Sequence, residues 1–346
     1  MAGTKTKPIN LALQGGGAHG AFTWGVLDYL LEDGRLDIKA LTATSAGAMN
    51  AVVFSYGFHN GGPEGAREKL ESFWWNVSRI KEPFGALNTH FFDQIPFFHQ
   101  IEQWMQMMIL EMTSLTASPY QLNPLGLNPL KDVLTREIDF DEIHSCDLIK
   151  LFISATNVQT GKVKIFTQDC LTADKVMASA CLPQIYQAVE IDGEFFWDGG
   201  YMGNPSLWPL FYETDVEDVL VVHINPITRE KVPHSASEIA NRINEITFNS
   251  ALLKEMRAVA FVQKLTEEGW LNDDHVGQLS DIRFHSIRAE HVFEPLSMGS
   301  KYDTGWDFLT SLRDQGRLEA EKWINANYGS IGKKSTVDLR AEFLDV

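Results

Sequence analysis

Apolar positions in this chain fall at two alternating spacings. Ile9–Leu13 is a short, almost continuous apolar run that stops at Gln14-Gly15, which predicts a buried parallel strand. Beyond three consecutive glycines, Phe22, Val26, Leu27, Leu30 and Leu31 recur at helical spacing, and Gly34 supplies a stop. Leu41–Thr44 reads as a second short strand and Ala46–Phe54 as a helix, followed by an amphipathic helix over Arg67–Ile80 that carries Leu70, Phe73, Trp74 and Val77. Strand, glycine turn, helix, strand, tight turn and helix together imply a right-handed βαβ unit.

The pattern changes at Phe84–Pro119, which crowds phenylalanines with Trp104, Met105, Met107, Met108 and Met112. A buried helical hairpin, a lid or acyl-chain surface built from adaptable thioethers, and a subunit contact all fit this composition. Asn128-Pro129 then predicts a helix start. Leu151–Asn157 and Val163–Thr167 predict a strand pair turning at Thr160-Gly161, and Ala173–Ala180 a helix. Tyr186–Ile191 and Phe195–Trp197 predict a second pair across Asp192-Gly193, with Asp198-Gly199-Gly200 directly after it. Val219–Ile224 is a buried strand. Ser235 and Glu238 form a capping box ahead of a long helix whose apolar face would be Ile239, Ile243, Ile246, Leu253, Met256 and Val262. Asp281–Ile287 predicts a strand, and Trp306–Ile324 a final helix with Gly316 as a weak point.

Composition narrows the function. The 346 residues, 44% hydrophobic and 22% charged, can bury a large core. A formal net charge of −17 without a Lys/Arg cluster argues against nucleic acid, and against purely electrostatic attachment to an anionic bilayer. Cys146, Cys170 and Cys181 are too scattered for a disulfide framework or a zinc site, which favours a reducing setting. No signal-peptide core and no spanning run are evident, so the expectation is a cytoplasmic protein that uses neither metal nor cofactor.

Acyl transfer needs a nucleophile, a base and donors aimed at the developing oxyanion. Ser45, among the small residues Ala43, Ala46 and Gly47, fits a serine on a sharp strand-to-helix turn. Gly15, Gly16 and Gly17 can turn backbone amides toward a bound carbonyl, close to the positive end of the following helix. Each piece also has a plain structural reading, Ser45 as a helix N-cap and the glycines as a tight turn. Gly15-x-Gly17-x-x-Gly20 also matches a dinucleotide fingerprint, but the second strand ends without a carboxylate and Asp37 lies at its wrong end. No histidine sits in a motif that nominates it as the base. Asp198, past a strand and followed by two glycines, is a candidate whose plain reading is a turn.

Taken together, Gly15-Gly16-Gly17-Ala18-His19-Gly20, Thr44-Ser45-Ala46-Gly47-Ala48 and Asp198-Gly199-Gly200 resemble, in order and context, the patatin-like phospholipase family. Ala178–Pro183 and Asn204-x-Ser206 extend the resemblance over roughly Ile9–Leu210. It implies an α/β protein with a three-layer α/β/α fold, a mainly parallel sheet, an acyl hydrolase domain over 8–210 and a mostly helical extension over 211–346. It further implies a Ser–Asp dyad of Ser45 and Asp198, with an oxyanion hole at Gly15, Gly16 and Gly17. His19, Gly47, Gly199 and Gly200 would support the site. Two positions depart from the family: Ala43 replaces the first glycine of the usual G-x-S-x-G, and His19 stands where the glycine loop usually has Arg or Lys. The expected partner is an ester or lipid substrate, with transient membrane contact and a homo-oligomer left open. An acyltransferase with the same dyad, a non-catalytic lipid-binding protein and a nucleotide-binding protein are the alternatives.

Overall fold

The structure, a computed structural model, describes residues 6–80, 117–270 and 281–345. The segment Phe84–Pro119, read above as lid, core or interface, lies outside the described residues up to position 116.

Among the described residues, eight strands form one sheet: β1 (Lys7–Leu13), β2 (Leu36–Ala43), β3 (Lys150–Asn157), β4 (Val163–Thr167), β5 (Val189–Ile191), β6 (Glu194–Asp198), β7 (Asp218–Val222) and β8 (Arg283–Ile287). Their order is β5-β6-β3-β2-β1-β7-β8, with β4 paired to β3. The β3-β2-β1-β7-β8 run is parallel, and β4, β5 and β6 add antiparallel pairs. The predicted βαβ start is present, with α1 (Gly20–Asp33) between β1 and β2 and closed by Gly34 in a left-handed conformation.

Helices cover both faces because the strands alternate between two buried sets. Ile9, Leu11 and Leu13 of β1, with Leu220 and Val222 of β7, pack with α1, with α2 (Ala46–Ser78) and with the last long helix. Ala12, Val219 and Val221 face the opposite way and meet Leu252, Met256 and Val259 of the helix Ala236–Glu267. The result is a three-layer α/β/α fold. Among the described residues, no helix is long and apolar enough to cross a membrane.

Several elements differ from the sequence expectations for identifiable reasons. The two helices expected over Ala46–Phe54 and Arg67–Ile80 run together as α2, broken at Gly61 and Gly62 just before Pro63. Tyr186–Ala188 is not strand, because the Ile185 and Tyr186 amides turn back onto the Leu182 carbonyl after Pro183. Helix α3 (Pro129–Glu137) starts where Asn128-Pro129 predicts, and α4 (Ala173–Ser179) covers the helix expected over Ala173–Ala180. In α5 (Ala236–Glu267) the capping box of Ser235 and Glu238 is formed, but Ile239, Ile243 and Ile246 are 43%, 59% and 54% exposed. The inward face is Glu245, Phe248, Asn249, Leu252, Met256 and Val259, and its polar members disguised it. In α6 (Trp306–Asn327) Gly316 is a contact point, since a Cβ there would lie 2.0 Å from the Phe22 carbonyl oxygen of α1.

Candidate active site

The sheet itself brings the candidate residues together. Leu13 pairs with Ala43 on one side and with Val222 on the other, so β1, β2 and β7 end level with one another. Such a carboxyl edge is where parallel α/β sheets place their ligands. The register of β3 then delivers Asp198. β4 covers Phe152–Thr156 on one edge of β3, which leaves the other edge for both β2 and β6. β2 climbs that edge and stops with Ala43 opposite Ile153, while β6 descends it and stops with Asp198 opposite Ala155. The two chain ends meet head-on across Ser154. A Cβ on Gly199 would lie 2.1 Å from the Ser154 carbonyl oxygen and 3.0 Å from Thr44 Cγ2, so only glycine fits this junction. Thr42 Oγ1 and Thr44 Oγ1 donate to the carbonyls of Ser206 and Gly203 at 2.6 Å, stitching the loop after Asp198 to the end of β2.

Ser45 stands at the N-cap position of α2 with φ 54° and ψ −122°, and its side chain makes no capping hydrogen bond. A positive φ in a non-glycine residue is strained, typically by about 1–3 kcal/mol, and persists where surroundings enforce it. Here the Ser45 amide donates to Ser179 Oγ at 2.8 Å, and a Cβ on Gly47 would sit 2.4 Å from the Leu13 carbonyl oxygen. Helix α2 is thus pressed against the end of β1, and the turn at Ser45 has no room to relax. Ala43 is buried in regular strand pairing and is not among the positive-φ residues, so its replacement of glycine leaves the turn intact.

The glycine loop lies against this turn, since a Cβ on Gly15 would be 2.6 Å from Ser45 Cβ. The Gly15 amide donates to Asn204 Oδ1 at 2.6 Å, and the Gly15 carbonyl accepts from Asn225 Nδ2 at 2.8 Å. Gly17 has φ 61°, and a Cβ there would lie 2.3 Å from the Lys301 carbonyl oxygen. Among the described residues, no protein acceptor takes the amides of Gly16 and Gly17, which lie beside a short turn that leads into the N-terminus of α1. That location favours a negative charge.

Asp198 is fully buried. Its Oδ1 accepts from the Gly200 amide at 2.7 Å, and its Oδ2 has no partner that meets full hydrogen-bond geometry. Burial raises its pKa from 3.8 to about 6, against opposing help from the Gly200 amide, the neighbouring Ser45 hydroxyl and the charge of Lys301. The Ser45 hydroxyl is near enough to Asp198 to favour its carboxylate form. His19 does not join the pair. Its Nε2 meets Ser300 Oγ at 2.7 Å and its ring lies 5.2 Å from that of Phe293. Burial, then the charge of Lys301, lower its pKa to about 3, so the imidazole is neutral.

A profile described as patatin-like phospholipase matches residues 11–211. The chain belongs to the patatin-like phospholipase family. Patatin-like phospholipases are lipid acyl hydrolases, and the three-layer sheet fits that membership. No match emerged among curated protein sequences. Among solved structures, VipD from Legionella pneumophila is similar at 14% identity and a TM-score of 0.37, over 89% of this chain and 67% of VipD. ExoU of the Pseudomonas aeruginosa type III secretion system, in complex with SpcU, is similar at 12% identity and a TM-score of 0.33 over 95% of this chain. A second structure of the type III effector ExoU is similar at 14% identity and a TM-score of 0.34, over 93% of this chain. This chain spans only 61% and 54% of those two ExoU chains.

The sequence alone did not mark the residues that hold these candidate groups in place. Asn204 anchors Gly15, and Ser179 anchors the Ser45 amide. Both lie in motifs already noted for resemblance, so the signal was present without a role. Gln14 Oε1 accepts from the amides of Ile224 and Asn225 at 3.0 and 3.1 Å, joining the ends of β1 and β7. Glu255 of α5 accepts from Ser206 Oγ at 3.0 Å and the Leu207 amide at 2.6 Å, and burial raises its pKa to about 7. No local motif marks Gln14, Asn225, Glu255 or Lys301.

Proposed function

We propose that this chain hydrolyses carboxylic esters of lipids, in the manner of a phospholipase A, through a Ser45–Asp198 dyad and an acyl-enzyme. The observation that carries the reading is the Ser45 turn: a strained N-cap whose hydroxyl is withheld from capping and lies beside a buried carboxylate. Asp198 accepts the Ser45 proton as Oγ bonds to the ester carbonyl carbon, and the carbonyl oxygen takes up the negative charge. The amides of Gly16 and Gly17 face that charge, while Gly15 is committed to Asn204 and shapes the turn. Collapse breaks the bond to the leaving alcohol, which takes the proton from Asp198. Water then gives a proton to Asp198 and its oxygen to the acyl carbon. Collapse of the second intermediate returns the proton to Ser45 and frees the acid.

A carboxylate of ordinary pKa is a poor base for this task, and catalytic bases work best with a pKa near the operating pH. The burial that raises Asp198 to about 6 moves it toward that condition. Residues 8–210 would carry the reacting groups, and 211–346 would complete the walls around them. The test is labelling by a fluorophosphonate probe, paired with hydrolysis of a neutral ester followed by pH-stat. Wild type should label and turn over, and Ser45→Ala should do neither. Equal labelling of the two proteins would reject the assignment.

A further inference from the structure

Opposite the glycine loop from Ser45 stands a cation that the catalytic reading does not use. Lys301 belongs to the short 3-10 turn Met298–Tyr302, which follows β8 and precedes α6. Its backbone carbonyl packs on Gly17, and its Nζ donates to Asn225 Oδ1 at 2.8 Å and Asn244 Oδ1 at 2.7 Å. The same Asn225 donates through Nδ2 to the Gly15 carbonyl at 2.8 Å and to Gln14 Oε1 at 3.3 Å. An unbroken hydrogen-bonded chain therefore runs from the Lys301 ammonium to the first glycine of the loop, while the Lys301 main chain bears on the third. The Nζ also lies 5.4 Å from the centre of the Phe248 ring, and that ring closes over Gly200, next to Asp198.

The electrostatics run along the same path. The Lys301 charge is felt at Asp198, where it favours the carboxylate, and at His19, which it helps keep neutral. His19 sits within the loop turn and, being neutral, supplies no charge there. Lys301 is in turn held in its charged form by Glu245 and Asp198, against the burial that lowers its pKa to about 8. Of the other titratable groups around the site, Glu255, raised by burial to about 7, falls in the same range, but it holds Ser206 and Leu207 and titrates alike in wild type and in the lysine variants. The phenols of Tyr201 and Tyr302 and the thiol of Cys181 are all raised by burial, Tyr302 and Cys181 to about 12. Glu245 is itself engaged by Arg229 and Arg242.

From this placement we propose that Lys301 is a positioning residue of the esterase site, whose ammonium fixes the glycine loop through Asn225 and holds Asp198 as the carboxylate. It acts through the loop and the base and does not touch the reacting atoms. The inference rests on the dyad reading above and deepens it, because it requires a protonated lysine together with an ionised aspartate. Activity should therefore be confined to a window with an acid limb near 6 and an alkaline limb near 8.

The test is the pH profile of kcat/KM for a neutral short-chain ester, by pH-stat, on wild type, Lys301→Arg and Lys301→Met, with Ser45→Ala as the reference. Arginine stays charged throughout this range, so Lys301→Arg should keep the acid limb and lose the alkaline one. Lys301→Met should lower kcat about 10–100-fold, less than the roughly 100–1,000-fold cost of deleting an oxyanion donor outright, because the amides remain and only their support is loosened. It should also move the acid limb upward by roughly half to one pH unit, as loss of a nearby opposite charge predicts. An alkaline limb unchanged in Lys301→Arg, or a Lys301→Met profile like that of wild type, would overturn the proposal. If Lys301→Met does not fold, the arginine variant still decides through the alkaline limb alone. Ester turnover and probe labelling in wild type but not in Ser45→Ala, alongside unaltered lysine variants, would defeat this inference and leave the dyad standing. Absence of turnover and labelling in wild type would defeat both.

Discussion

Asp198→Asn should make the protein more stable while it removes turnover, and the gain should grow with pH. Asparagine keeps the volume and retains an Oδ1 acceptor for the Gly200 amide, which now bonds to the aspartate at 2.7 Å. What changes is the charge at a fully buried position. The wild-type carboxyl titrates near 6 when folded, against an ordinary value of 3.8. At about 1.4 kcal/mol per pH unit, that gap corresponds to about 3 kcal/mol of folding free energy once both states are ionised. Because the folded value is the raised one, the stabilisation from a protonated Asp198 is complete below 3.8 and is lost as pH climbs through about 6. The neutral amide suffers no such loss. Glu255 and Lys301 titrate in both proteins, so the informative quantity is the difference between variant and wild type at each pH. Thermal unfolding should give matching Tm values near about pH 4, and a variant several degrees higher near about pH 8. A variant Tm at or below wild type near about pH 8, or an offset that does not change with pH, would refute the claim that burial of charge sets the basicity of Asp198.

Two further outcomes follow from the same geometry. Ser45→Gly should abolish ester turnover yet stabilise the fold by about 1–2 kcal/mol in chemical denaturation, because glycine tolerates a positive φ that serine does not; a destabilised variant would show that the turn is not strained. Gly316→Ala should destabilise by at least about 2 kcal/mol, as overpacking does, because its new methyl would overlap the Phe22 carbonyl where α6 crosses α1; a neutral result would mean that the two helices can separate without loss.

The segments that carry the proposed reacting groups were legible in the sequence because their surroundings are local. A glycine run after a strand, a serine among small residues and an aspartate before two glycines each sit in a short segment that folds on its neighbours. The strands β1, β3 and β7 were legible for the same reason, as apolar runs bounded by turn residues, whereas β2 was read only at its apolar end, Leu41–Thr44, and begins at Leu36. What escaped was the set of side chains whose partners are far along the chain. Asn225 is 210 positions from Gly15 and Lys301 is 76 from Asn225, so nothing near either residue marks it. The inward face of α5 was hidden for a related reason. Glu245 and Asn249 are polar yet buried, because one pairs with Arg229 and the other with Gln14, so of the expected apolar stripe Met256 faces inward while Ile239, Ile243 and Ile246 do not. Burial of polar side chains is dictated by their partners, and periodicity cannot see partners.

The family match ends at residue 211, but the walls of the site do not. β7 pairs with β1 at the level where the glycine loop begins, and Gln14 reaches across that pairing to the amides of Ile224 and Asn225. Asn249 then ties Gln14 Nε2 to the carbonyls of Asn225 and Pro226. The loop is therefore fixed on one flank by Asn204, within the matched region, and on the other by Asn225, Asn249 and Lys301, beyond it. The proposed oxyanion site depends on donors that do not reorganise as charge develops, so in that mechanism rigidity on both flanks is part of the chemistry. The last third of the chain, which shows no catalytic motif, supplies half of that rigidity and the positive charge beside it.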